Sequence, residues 1–355
     1  MFDIALAVFL LLSPIILLPQ IGNITALQFY QFGLIDSTNS MLQLQFFQFG
    51  VIALFIVSLF QKKIRELNDK WLGLFLVGCF ISVFLHPKSI GVVLNVFLGF
   101  VLYKLVFEYA KRIRLILFPI VIVSILNLIF EILQLFGIQF IYHSQSIVGL
   151  MKSQSHLGTY QALAIPICYY FNPYLVIIPI IGLLLTKTWT AVFAVILVIC
   201  LKFRKKLISL GTMWQMFFIS CMALFIWVLY KTKIIDAILY DLYPRLWIWL
   251  ETLKSLTFTG KGFGNFKIYR SIVDKYLSTG QYDNPCSVYL EIIYILGVLS
   301  IPLFIWLHKT LKIRNKLFPS CLILVIIALG QSFMDFPRLA GTAIVLFALL
   351  NIKGG

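Results

Sequence analysis

Long apolar runs are the feature of this sequence that most restricts its fold. Many of them reach the roughly 17–25 apolar residues that an α-helix needs to cross a bilayer. The 355 residues are 61% hydrophobic and only 12% charged, whereas soluble domains are about 25% charged. The alternation over about ten residues that marks membrane β-barrels is absent. The sequence therefore predicts an all-α integral membrane protein, because lipid admits only helices or closed barrels.

The apolar segments divide the chain into about twelve predicted transmembrane helices. No internal repeat, linker or second domain interrupts them, so residues 1–355 are interpreted as a single polytopic membrane domain. The predicted spans are approximately residues 2–19, 42–60, 71–86, 89–108, 115–138, 156–171, 173–186, 188–201, 207–230, 286–307, 317–335 and 337–351.

Lysine and arginine concentrate in four short connections between these spans. In a twelve-span arrangement all four connections lie on one side, together with both termini, and the positive-inside rule makes that side cytoplasmic. Orientation then explains much of the net charge of +16, so the charge gives no reason to expect a nucleic-acid partner. The four connections are residues 61–70, 111–114, 202–206 and 308–316, which carry 15 of the 29 basic residues.

One long hydrophilic insertion, residues 231–285, separates spans nine and ten and lies on the opposite, extracytoplasmic side. Residues 244–256 predict a helix at the membrane interface, because proline stands at a first-turn position and three leucines share one face. Residues 266–278 repeat this amphipathic pattern, and a glycine-rich turn joins the two helices. We expect this loop to form a lid over the outer ends of the membrane helices.

Ionisable side chains gather at the predicted outer ends of the helices. Such groups are costly in or near a bilayer and are candidates for function by default. Guanidinium groups bind diphosphate well, because they stay charged and can bond two oxygens at once. The alternative role for a single arginine is anchoring at the membrane interface, and for His156 it is helix capping or that of a hydrogen-bonded histidine at the interface. The group comprises His143, Lys152, His156, Lys187, Arg245, Arg270, Asp283, Glu291, Asp335 and Arg338.

Glu131 is an acidic residue inside an apolar run, and Asn127 and Gln134 share its helix face. These side chains could line the outer pocket or hydrogen-bond to another helix, and the second interpretation is favoured. The chain has no phosphate-binding glycine loop followed by lysine, and no spacing typical of metal ligands. We therefore expect neither a cofactor nor a metal.

The order of these motifs resembles the O-antigen ligase/polymerase family of GT-C-like membrane glycosyltransferases. Residues 149–166 are similar to that family's glycine-containing start of a middle helix, and residues 183–197 to its Thr/Ser-Arg segment. Residues 245–266 are similar to its Arg–Trp helix and glycine turn, with Arg245 at the position of the loop arginine. Residues 284–297 are similar to its segment that contains His-Asn-x-Tyr-Leu and ends in glycine.

The sequence departs from the family pattern at two places. Trp189 stands where the family usually has arginine, and the nearest cation is Lys187. Cys286 and Ser287 stand where histidine and asparagine are usual, although Tyr289 fits its place in the segment. The histidine is the family's proposed base, so the departure leaves the identity of the base open.

The resemblance implies metal-independent transfer of a glycan from an undecaprenyl-diphosphate carrier to an acceptor hydroxyl. The acceptor would be lipid A core in a ligase or another carrier-linked glycan in a polymerase. Such enzymes lie in the bacterial inner membrane and act on its extracytoplasmic side. Rival interpretations are a flippase for lipid-linked glycans and a non-catalytic scaffold. The resemblance implies diphosphate binding by Arg245, Arg270, Lys187 and Arg338, and a pocket lined by Tyr289, Glu291 and Trp189.

Asp283 is the preferred candidate for the base that accepts the acceptor hydroxyl's proton, with His156 second. Cys286 is a weaker candidate, because a free thiol has a pKa of about 8.5 unless a neighbouring cation lowers it.

Asp283→Asn should reduce the rate of glycan transfer by about 10²–10⁴-fold, the usual contribution of a general base. The measurement is the transfer rate of purified variant and wild type, and equal rates would remove Asp283 from this role.

Overall fold

The computed structural model describes residues 1–15, 35–67, 69–87, 90–138, 147, 149–151, 153–209, 245–262, 287–313, 315–331 and 337–352. Helices and turns make up these residues, with no β-strand among them, so the all-α prediction is confirmed. The helices are α1 (Phe2–Ile15), α2 (Ile35–Leu59), α3 (Lys70–Leu85), α4 (Ile90–Tyr109), α5 (Ile113–Leu135), α6 (Gln154–Phe171), α7 (Ile177–Thr186), α8 (Trp189–Ser209), α9 (residues 245–254), α10 (Val288–Leu296), α11 (Ile301–Thr310), α12 (Phe318–Gly330) and α13 (Pro337–Leu350).

Apart from α9, which lies in the long loop, the described helices overlap the segments predicted from the apolar runs, although α2 begins seven residues earlier and α8 ends eight residues later than predicted. Two 23-residue segments among the described residues, Ile113–Leu135 and Val288–Thr310, are long and apolar enough to cross a membrane. The ninth predicted span, residues 207–230, lies almost wholly outside the described residues, and residues 231–244 and 263–285 of the loop lie wholly outside them. The count of about twelve spans stays a prediction.

Helix α6 occupies the centre of the bundle. It packs against α5, α7, α8 and α12, and eleven of its 18 residues are buried. Small residues on and around it allow close helix approach, as in other bundles rich in glycine and alanine. A Cβ on Gly158 of α6, for example, would collide with Thr188. The side chains of α6 therefore meet four other helices.

The four basic segments meet at one end of the bundle, which we call the basic end. Cations from these segments lie over aromatic rings of neighbouring elements, an attractive arrangement. Backbone N–H groups of Lys111 and Arg112 donate to Asp3 near the start of the chain, and Asn351 donates to Thr310. The ring contacts are Lys309 with Trp71 (5.1 Å), Arg114 (5.3 Å) and Lys316 (5.1 Å) with Tyr170, and Lys202 with Tyr169 (5.1 Å).

The predicted span 286–307 is a broken helix. Helix α10 ends at Gly297, whose φ of 55° is left-handed, and a 3₁₀ turn (Gly297–Ser300) leads into α11. The glycine-rich turn after α9 pairs with the backbone at this break. Lys261 and Gly262 donate to the carbonyls of Tyr294 and Ile295, and Val298 donates to Phe258, each at 3.0 Å. The turn thus satisfies backbone groups that a continuous helix would satisfy internally.

Glycine is required on both sides of this pairing. A Cβ on Gly297 would collide with the carbonyl oxygen of Phe258, and a Cβ on Gly260 would collide with that of Ile295. Both glycines also have positive φ, which side chains rarely adopt. The close backbone approach therefore fixes where α9 and its turn sit on the bundle.

Gly297→Ala should lower the free energy of unfolding by about 1–3 kcal/mol, because it adds a backbone collision to left-handed strain. Gly73→Ala is the matched control. Gly73 lies within α3 with nothing close to its Cβ position, so alanine there should stabilise the helix by up to about 1 kcal/mol. Denaturant unfolding of the detergent-solubilised protein measures both, and equal stability of the two variants would contradict this account of the break.

Candidate functional site

A polar layer closes the bundle at the end opposite the basic end, which we call the far end. Its centre is Gln331, which follows α12. The Gln331 side chain accepts a hydrogen bond from the Thr159 hydroxyl (2.8 Å) and donates to the Thr190 hydroxyl. These bonds connect α12 to α6 and α8. These three residues were not predicted as site residues, and their one signal in the sequence is an uncharged polar side chain within or beside an apolar run.

The turn between α7 and α8 belongs to the same layer. Gln154, the first residue of α6, donates to the carbonyl of Thr186, and the Thr188 hydroxyl donates back to the Gln154 carbonyl (3.0 Å). Thr186 and Thr188 are buried. This reciprocal pair attaches the turn to the start of α6, and so places Lys187 and His156 at the same end of the bundle.

Lys187 has an unusual backbone. It is the single non-glycine residue with positive φ among the described residues (φ 51°, ψ 28°), where it caps the end of α7. Its side chain is exposed between the two buried threonines. Strained conformations of this kind persist where the surroundings over-determine them, and they cluster at functional sites. Trp189 follows as the half-buried first residue of α8.

Arg245 brings the long loop to this layer. It is the first residue of α9, is half-buried, and donates a hydrogen bond from Nη1 to the carbonyl of Gly330, the residue before Gln331. A guanidinium remains charged under all ordinary conditions. A cation from the loop is therefore fixed beside the polar layer. His156 is half-buried in the first turn of α6.

Helix α9 has two contrasting faces. The predicted apolar face points outward, since Leu246, Leu250 and Leu253 are each 42–50% exposed. Ile248 and Thr252 are buried on the opposite face. The predicted helix is confirmed, and its exposed leucines give the amphipathic pattern that an interfacial helix requires.

Helix α10 carries the two other described candidates. The Tyr289 hydroxyl donates to the Val325 carbonyl (2.8 Å), and Ser287 donates to Ala328 (3.4 Å), so both side chains attach α10 to α12. Glu291 is half-buried in the first turn of α10. Pocket lining by Tyr289, Glu291 and Trp189 stays a prediction.

Several predicted site residues fall outside what the structure describes. Asp283, Cys286 and Arg270 are among them, as is the second loop helix over 266–278. Arg338 lies in the first turn of α13, but its side chain is not among those described. Their proposed roles stay predictions.

A second polar group lies below the far-end layer, inside the bundle. Glu131 of α5 is fully buried and accepts a hydrogen bond from Gln161 of α6 (2.9 Å), whose own oxygen accepts from the Ser124 hydroxyl (2.6 Å). The preferred interpretation of Glu131, a hydrogen bond to another helix, is thereby confirmed. Asn127 accepts from the backbone of Leu150 (2.9 Å).

The carboxyl group of Glu131 is tightly enclosed. Its Oε2 atom is buried without a hydrogen-bond partner among the described residues. Gly182 of α7 packs directly on the group, and a Cβ there would collide with the Gln161 amide and lie 2.9 Å from Oε2. A glutamate in this position is a candidate for function by default, yet there is little space beside it for a substrate. We interpret the group as a connection between α5, α6 and α7.

Comparison with protein-family models, curated proteins and solved structures gives no significant match for this chain. Among the described residues no three histidine, cysteine or acidic side chains come together as a candidate metal site. The assignment of function therefore rests on the residues of the far end.

Gln161→Leu should lower the free energy of unfolding by about 1–3 kcal/mol, because it leaves the buried Glu131 carboxyl without its donor. Adding Glu131→Leu should recover part of the loss, since both polar partners are then replaced by apolar groups. Denaturant unfolding of wild type and the two variants measures this. A double variant less stable than Gln161→Leu alone would contradict the proposed connection.

Proposed function

We propose that this chain is a multi-pass membrane glycosyltransferase of the O-antigen ligase/polymerase type. It transfers a glycan from an undecaprenyl-diphosphate carrier to the hydroxyl of a glycan or lipid A-core acceptor. One observation carries the proposal. Arg245 of the long loop is held against the far-end layer, in the same layer as the elements that present Lys187 and His156.

Insertion in a bilayer is part of the proposal. The two 23-residue apolar segments support it, and so do large apolar side chains exposed on the outside of the bundle. Phe84 and Tyr174 are each 85% exposed, and Phe136 is 80% exposed. In water such side chains would be unfavourable, whereas in lipid they match their surroundings. The basic end would face the cytoplasm of a bacterium and the far end the extracytoplasmic side of its inner membrane.

The proposed chemistry needs charge stabilisation and positioning more than bond activation. The acceptor hydroxyl attacks the anomeric carbon, a new C–O bond forms, and the bond to the carrier diphosphate breaks. Arg245 and Lys187, with Arg270 and Arg338, stabilise the negative charge on the leaving diphosphate. Asp283, or His156 in its place, accepts the hydroxyl proton. Attack from the face opposite the diphosphate inverts the anomeric centre, as in inverting glycoside chemistry.

The acceptor determines whether the reaction is polymerisation or ligation. Both reactions use the same donor, so the donor site alone does not separate them. A glycan length profile of cells with and without the protein does so. Loss of long chains identifies a polymerase, whereas chains of normal length retained on the carrier identify a ligase.

A lipid-linked glycan flippase is the second candidate, and two observations favour it. The helix from Val288 to Thr310 is broken at Gly297, and α5 carries the buried Glu131. Transporters commonly combine broken helices with buried ionisable groups.

An assay of reconstituted protein supplied with a carrier-linked glycan distinguishes the two functions. Transfer to an acceptor without ATP identifies the transferase, translocation alone the flippase, and neither activity the scaffold.

Arg245→Ala should reduce glycan transfer by at least about 10²-fold, because it removes a cation proposed to stabilise the charge of the leaving diphosphate. Lys254→Ala is the matched control on the same helix, since Lys254 is exposed and pairs with Glu251 at 2.7 Å. It should transfer at the wild-type rate. The assay is initial rate in liposomes with equal inserted protein, and normal activity of the Arg245 variant would refute the diphosphate clamp.

A further inference from the structure

The basic end contains a cleft between the start of α5, the end of α6 and the turn before α12. Its lining includes Ile113, Tyr170, Lys316 and Leu317. Asn315 holds this turn in place, because its amide donates to the Leu350 carbonyl and its oxygen accepts from the Leu317 N–H, both at 2.9 Å. These two bonds hold the part of the turn that carries Lys316.

Two cations share the aromatic ring in this cleft. Arg114 lies 5.3 Å and Lys316 5.1 Å from the centre of the Tyr170 ring. Like charges repel, so two cations beside one ring indicate a place that an anion would stabilise. Among the described residues neither cation has a carboxylate within ion-pair distance. Asp3, the acid attached to the neighbouring segment, accepts from the backbone of Lys111 and Arg112 instead.

The surroundings of the two cations indicate the kind of anion. Phe118, one turn after Arg114 on α5, and Tyr169, which precedes Tyr170 and also faces Lys202, are large exposed side chains. Phe118 also packs against Phe171 with ring centres 6.0 Å apart. An anion that combines a phosphate with hydrocarbon chains matches both features, whereas a free phosphate would use only the charges.

We propose that the cleft at Tyr170 binds the phosphate of an anionic phospholipid, with Arg114 and Lys316 holding the headgroup and the exposed aromatic side chains contacting its acyl chains. Basic pockets between helices on the cytoplasmic side are suited to such headgroups. The proposal requires that the chain lie in lipid, but it is independent of glycan transfer, because the cleft is at the opposite end from Arg245.

The test is native mass spectrometry of the full-length protein in detergent with equal amounts of phosphatidylglycerol and phosphatidylcholine. Wild type should retain phosphatidylglycerol preferentially. The double variant Arg114→Gln, Lys316→Gln should retain at least about tenfold less, since each basic residue near an anionic headgroup strengthens binding roughly fivefold. Both side chains are exposed, so unchanged melting temperature is expected and serves as the folding control.

The matched control is the double variant Lys111→Gln, Lys312→Gln. It removes the same charge from the same two segments, and both side chains are exposed. It should bind phosphatidylglycerol as wild type does. Equal losses in the two double variants would show that net charge alone attracts the lipid, and no loss in either would show that the cleft does not bind it. Displacement of the lipid by millimolar inorganic phosphate would assign the site to a free anion. Each of these three results overturns the proposal.

Discussion

Hydrogen bonds from the central helix α6 organise this bundle, because an apolar interior leaves each buried polar group dependent on a specific partner. Gln161 binds Ser124 and Glu131 of α5, while Gln154 and Thr159 connect α6 to the α7–α8 turn and to Gln331. The dispersion and apolar contacts around them are stronger in sum but have little directional preference. The polar bonds therefore select which helix faces meet, and this selection places the candidate site residues in one layer.

The two ends of the bundle differ in which polar side chains they carry and in what those side chains contact. At the basic end cations lie over aromatic rings, as with Lys309 on Trp71, and remain near the surface. At the far end the polar groups are mainly uncharged threonine and glutamine side chains bonded to each other, with Arg245 added from the loop. Because these groups are neutral and bonded to each other, they hold their geometry without an ionic partner. The function proposed above assigns substrate binding to the cations beside this layer, such as Lys187.

The sequence predicts helix positions, because these depend on the local pattern of apolar residues. It does not predict contacts between segments that are far apart in the chain. The apolar runs predict the positions of the helices, and the leucine spacing predicts α9. The break at Gly297 was not predicted, because the apolar run continues through it and only pairing with residues 258–262 makes the break favourable. Similarly, Gln161 lies in an otherwise apolar segment, and its role depends on Glu131, 30 residues away in the chain. Arg245, Lys187 and His156 have ionisable side chains that mark them in the sequence, and the structure places them at one end of the bundle. Thr159, Thr190 and Gln331 lack such side chains, so their meeting could not be predicted from the sequence.

Hydrogen bonds join the turn that follows α9 to the broken helix, and the start of α9 to α12. The turn after α9 is paired with the backbone of Tyr294 and Ile295, while the first residue of α9 binds Gly330. Both ends of this helix are thus attached to α10 and α12, and Tyr289 attaches α10 to α12 in turn. A displacement of α9 would have to break the Gly330 bond and the pairing at Gly297 together. We therefore interpret α9 as rigidly attached to the bundle, because hydrogen bonds hold both its first residue and the turn that follows it.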